Sequence, residues 1–144
     1  LFFFHRIIIY EMGASVFMLI YLGAIVFGNL FCLYIYRHKP YYSAIGASGG
    51  VSGIIFAAIA LMPQLRVNFM PGWLFGAIYF GYSVYQMLNP RQGDNIGHAA
   101  HLGGAIFGIV VIAFLQPLLI AENALYLGIM ALPLGYMGYR LLQK

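Results

Sequence analysis

The charged residues of this chain stand far apart, at nearly even intervals. Glu11 and Arg37 are separated by 25 uncharged residues, Lys39 and Arg66 by 26, Arg66 and Arg91 by 24, and Asp94 and Glu122 by 27. A last interval of 17 runs from Glu122 to Arg140. A helix needs about 20 apolar residues to cross a hydrocarbon core of roughly 30 Å. Four intervals therefore fit a crossing with its turns, and the fifth fits a short or tilted one. In lipid such runs must be helical, because an open strand edge leaves backbone groups unsatisfied. The polar/apolar alternation of a membrane β-barrel is absent. The spacing predicts helices over 13–35, 43–62, 72–88, 96–116 and 123–142, with 1–9 as the tail of an earlier helix. The fold class expected is all-α: a polytopic membrane bundle of five full spans plus the end of another. It forms one domain over 1–144. Because the chain opens on Leu1, an upstream part is expected to be missing.

Composition removes the other classes. Of 144 residues, 63% are hydrophobic and 7% charged, against roughly 25% charged in a soluble domain. A soluble enzyme and a disordered chain are both excluded. The net charge is +4, but the seven Lys and Arg are scattered. No patch can track phosphates, so the expected partner is the lipid bilayer and not nucleic acid. Asp94 or Asn95 is a candidate N-cap for the fourth span. Tyr34, Tyr36, Tyr41, Tyr42 and Trp73 fall where an aromatic belt would lie. A single cysteine, Cys32, permits no internal disulfide.

Ionisable groups inside a span are costly and point to function. His98 and His101 lie in GHAAHLGGAIFG, within 96–116. Gly97, His101, Gly104 and Gly108 recur on one helical face. The second unusual stretch is IGASGGVSG, residues 45–53. Gly46, Gly49, Gly50 and Gly53 form small-xxx-small pairs that admit a close neighbouring helix. Two crossings separate residues 43 and 96, so both helices start on one side and run parallel. Ser48 and His101 are each the sixth residue of their span, roughly 8 Å below its start. A hydroxyl and an imidazole at one depth make a nucleophile–base pair. No carboxylate lies near His101, so the pair would act as a dyad. Ser52, one turn below Ser48, reads as a packing or back-bonded hydroxyl. Two other readings stand beside this one: a transporter or channel segment with His98 and His101 lining a pore, and a protein that grips membrane helices without cutting them. Two His at i, i+3 are too few for a metal site, so neither metal nor cofactor is expected.

At these residues the sequence resembles the rhomboid family of intramembrane serine proteases. Gly46-Ala47-Ser48-Gly49 matches the family's GxSG motif, and Ala100-His101-Leu102-Gly103-Gly104 its AHxxG motif. Tyr10-Glu11-Met12-Gly13 resembles the turn entering its third core helix. The resemblance implies a bundle around a water-filled cavity, with 123–142 as an extra C-terminal helix. It implies a serine endopeptidase that cleaves transmembrane protein substrates, with Ser48 as nucleophile and His101 as base. The Ser48 backbone N–H would be one oxyanion donor. The family's His-x-x-x-Asn pair is not matched by His5 and Ile9, so the remaining donors are expected upstream of residue 1. The helix 72–88 would be the lateral gate. Loop charges alone would put Arg37, Lys39, Arg91, Arg140 and Lys144 in the cytoplasm. The resemblance implies the reverse, an active site facing away from the cytoplasm in a bacterial inner membrane.

Overall fold

A computed structural model describes residues 2–38, 46–89 and 97–143. In chain order the elements are α1 (Phe2–Met12), α2 (Ala14–Ile35), α3 (Ser48–Leu61), β1 (Arg66–Val67), β2 (Met70–Pro71), α4 (Gly72–Leu88), α5 (His98–Leu115), α6 (Pro117–Glu122) and α7 (Ala124–Leu142). The protein is a helical membrane bundle. Among the described residues three helices, α2, α5 and α7, are long and apolar enough to cross a bilayer. The expected tail at 1–9 is a helix that runs on to Met12 and stops at Gly13, whose φ of 90° suits only glycine. The chain then doubles back, since the His5 and Phe17 rings come within 6.1 Å.

The core is built from α2, α3 and α5. Of the 14 residues of α3, all but Ser48, Val51 and Ile55 are buried. This explains the largest departure from the expected spans. Charge spacing placed the second span at 43–62, but the described helix begins at Ser48, after Gly46 and Ala47. A helix sheathed by other helices meets little lipid and need not reach the length of a crossing. Its 14 residues cover only about 21 Å. The fourth span likewise begins at His98, not 96, and its cap position is Gly97, without a side-chain cap. Asp94, Asn95, Tyr41 and Tyr42 lie outside the described residues.

Glycine sets the contacts. A Cβ on Gly104 would collide with the Gly49 carbonyl, and one on Gly108 with the Gly53 carbonyl. A Cβ on Gly49 would lie 3.2 Å from the Ala100 and Ala24 carbonyls at once. Gly28 of α2 abuts the Ala100 carbonyl, while Gly50 faces Tyr21 and Ile25. The three helices thus touch backbone to backbone, as small residues permit. Gly46 does not share this role. It precedes the helix, and among the described residues a Cβ there would have only Ser48 atoms within 4 Å.

Two small elements carry no signal in the charge spacing. β1 and β2 pair antiparallel across Asn68 and Phe69, both at positive φ, in a two-residue hairpin turn. The helix α6 fits between α5 and α7, with Pro117 at its start, where proline needs no donor.

Gly104→Ala and Gly108→Ala should each destabilise the bundle by about 1–3 kcal/mol, the usual overpacking cost. The gain of up to about 1 kcal/mol in helix propensity will not offset it. Gly128→Ala, with nothing within 4 Å, should leave the melting temperature in detergent unchanged or higher. Thermal unfolding of the three variants checks this.

Candidate active site

The helix contact sets the level of the two candidate side chains. Gly49 packs between Ala100 and Gly104, and Gly53 packs against Gly104 and Gly108. Both contacts rise together along the chain, so α3 and α5 are parallel. Each α3 glycine sits between α5 residues at offsets of 51 and 55, and their mean of 53 brings Ser48 level with His101. The equal depth reckoned from the start of each span therefore has a different basis. Ser48 is the first residue of α3 and His101 the fourth of α5. What aligns them is the glycine contact.

The start of α3 also changes the chemistry at Ser48. As the sixth residue of a helix its N–H would be bonded within the helix. As the first, it belongs to the opening turn, whose N–H groups have no intrahelical acceptor. The Gly50 N–H is already used, donating to the Ala47 carbonyl at 3.0 Å. The positive end of the helix thus sits beside an exposed Ser48 side chain. An anion developing on an atom bonded to Ser48 Oγ would meet these N–H groups.

His101 is half-buried, and its own backbone N–H donates to the carbonyl of Gly97, the cap position of α5, at 2.9 Å. Among the described residues no hydrogen bond joins the Ser48 hydroxyl to the His101 imidazole. Catalytic hydrogen bonds are often long until substrate binds. His98, one turn before His101, is buried with its ring edge-on to Tyr82 of α4 at 5.7 Å. No cluster of three metal-ligating side chains exists among the described residues.

One contact near the site is new. The Ser52 hydroxyl, one turn below Ser48, is hydrogen-bonded at 3.2 Å to the Tyr79 hydroxyl of α4. Neither a packing role nor a back-bond describes it. Tyr79 also packs on Phe56 at 5.1 Å and on Phe75 at 6.0 Å. The sequence holds no local signal for this pairing, because the partners are 27 residues apart on different helices. The nearest hint is the face of α4 that carries Phe75 and Tyr79 four residues apart.

Comparison with known proteins agrees with this architecture. Residues 1–118 match the Rhomboid domain family. Rhomboid-related protein 1 of Caenorhabditis elegans is 30% identical over 97 residues, which cover 62% of this chain and 26% of that protein. The presenilin-associated rhomboid-like protein, mitochondrial, of Homo sapiens is 32% identical over 112 residues, covering 72% of this chain and 29% of that protein. The Pongo abelii protein of the same name matches equally. The chain therefore spans under a third of the length of these relatives. No solved structure matches it. The family match ends inside α6, so α7 lies beyond it. With the matched domain taking in the whole α1–α5 bundle, the chain belongs to the rhomboid family.

Proposed function

We propose that this chain carries the Ser/His dyad of an intramembrane serine endopeptidase acting on transmembrane segments. The observation that supports it most is the offset shared by the two glycine contacts, which levels Ser48 with His101. Ser48 Oγ attacks the scissile carbonyl carbon as its proton passes to His101. The carbonyl oxygen becomes an oxyanion beside the N–H groups opening α3. Collapse of this intermediate breaks the C–N bond, and His101 returns the proton to the leaving amine. Water then adds to the acyl-Ser48 ester, again losing a proton to His101, and the product acid leaves. On this dyad reading the imidazole is oriented by helix packing, to which the close contacts of Gly103 and Gly104 contribute.

On this reading α4 is the side from which substrate arrives. It is joined to the nucleophile helix by the Ser52–Tyr79 hydrogen bond and a few aromatic contacts. The membrane itself is a narrower question. The relatives compared here are eukaryotic, and two are named as mitochondrial. The bacterial inner membrane expected from the resemblance finds no support in them.

Ser48→Ala and His101→Ala in the full-length protein should each lower cleavage of a model transmembrane substrate by at least about 10³-fold, as loss of a nucleophile or base does. Fluorophosphonate should label the parent protein and not Ser48→Ala. Cleavage near the parent rate in either variant refutes the dyad. Substrate binding that survives in a protein showing no cleavage at all would favour a helix-gripping role.

Tyr79→Phe removes one inter-helix hydrogen bond, worth about 0.6 kcal/mol in a membrane. We expect a slightly lower melting temperature, with kcat/KM raised about two- to threefold as α4 yields more easily. A fall in kcat/KM at unchanged stability would count against α4 as the access side.

A further inference from the structure

The helix α7 lies against α4 and runs parallel to it, beyond the family match. At one end the two are shut together. Trp73 meets Tyr126 with ring centroids 5.7 Å apart, and Met130 sits where Gly76 would carry a Cβ. Past this point they part. Pro133 lies inside α7, where it removes a backbone hydrogen bond and bends the helix. Opposite it is Gly81, where a Cβ would lie 4.0 Å from the proline ring. Above that contact a half-open cavity of about 530 Å³ separates the helices. Its floor is apolar, with Leu88, Leu132 and Pro133, and its mouth carries Asn89, Tyr136 and Arg140.

We propose that this cleft binds one anionic phospholipid, its phosphate on Arg140 and an acyl chain lying in the groove beside Pro133. Four observations select that occupant. The cleft is blocked at Gly76 and Trp73, so a full transmembrane helix cannot lie along it. From Gly81 to Asn89 is about 12 Å of helix, close to the depth of one leaflet. Its volume falls in the roughly 300–1,000 Å³ range of ligand pockets. Arg140 stands in the last turn of α7, at interfacial depth, and no carboxylate among the described residues lines the cavity. One guanidinium nitrogen donates to the Tyr136 hydroxyl at 2.8 Å, which fixes the fork while other donors stay available to phosphate. The site lies at the Ser48 end of the bundle, because α4 and α7 finish where α3 and α5 begin. It is independent of whether the protein cleaves peptides.

The test uses the full-length protein in phosphatidylcholine nanodiscs with trace phosphatidylglycerol carrying a diazirine on its acyl chain. Cross-links are mapped by mass spectrometry. We expect them in segments 81–88 and 132–136, competed about fivefold better by unlabelled phosphatidylglycerol than by phosphatidylcholine, the weight of one Arg near a headgroup. Arg140→Gln should lose about fivefold of the labelling, Arg140→Lys should keep most of it, and Arg66→Gln should change nothing. Gly81→Leu, which fills the groove and leaves Arg140 in place, should abolish labelling. Equal competition by the two lipids overturns the proposal. So does full labelling of Arg140→Gln, competition by soluble glycerol phosphate as effective as by lipid, or a second copy of the chain cross-linked at these segments.

Discussion

The close approach of α3 to α5 is the constraint on which the rest of the structure depends. Inside a membrane, helices gain nothing from hiding apolar surface from lipid tails, so association rests on packing and polar contacts. Gly104 on the Gly49 carbonyl and Gly108 on the Gly53 carbonyl give that packing its closest form. Backbone on backbone leaves no side chain to repack, so register cannot slip without collision. A single register then holds Ser48 level with His101, although no hydrogen bond joins the two side chains. On the dyad reading, a charged third member at the imidazole is dispensable for the same reason. Orientation that another arrangement would take from a charged third residue can here come from the rigidity of two touching helices.

Much of the bundle is legible in charge spacing because the bilayer imposes a length. The bounds expected for the spans at 13–35, 72–88 and 123–142 agree with α2, α4 and α7 to within a residue. The same logic misjudged α3, since it assumes that every apolar run is measured against lipid. The run 43–62 is as apolar as the others. Its helix is short because α2 and α5 cover it, and coverage is a tertiary property. That difference matters at the site, because a helix beginning at Ser48 presents unbonded N–H groups where one beginning at 43 would not.

The glycine pattern was readable for a related reason. Steps of three and four put Gly104 and Gly108 on one face, and Gly49 and Gly53 on another, by helical geometry alone. Gly46 continues the spacing but lies outside the helix, where among the described residues only Ser48 atoms come near it. Gly97 continues it too, but serves as the cap of α5. The Ser52–Tyr79 bond and the cleft at Pro133 stayed hidden because each joins residues far apart in the chain. A proline in an apolar helix signals a bend, yet its consequence depends on the helix opposite. Here that helix offers Gly81.

These contacts divide the bundle into parts of unequal stiffness. The helices α2, α3 and α5 interlock through glycine at every interface, and displacing any one of them drives backbone into backbone. The helix α4 meets them through rings and one hydroxyl pair, and leans on α7 instead. Rings slide and a hydrogen bond can be exchanged for one to water, whereas two touching backbones have no alternative arrangement. If, as proposed, a polypeptide reaches the Ser48 end, α4 is the helix that can yield to it while the Ser48–His101 level is kept. It stays shut on α7 at Gly76 and Trp73 and is separated from it by the cavity above Pro133. A group lodged in that upper cleft would act on α4 from behind, on the face turned away from the dyad.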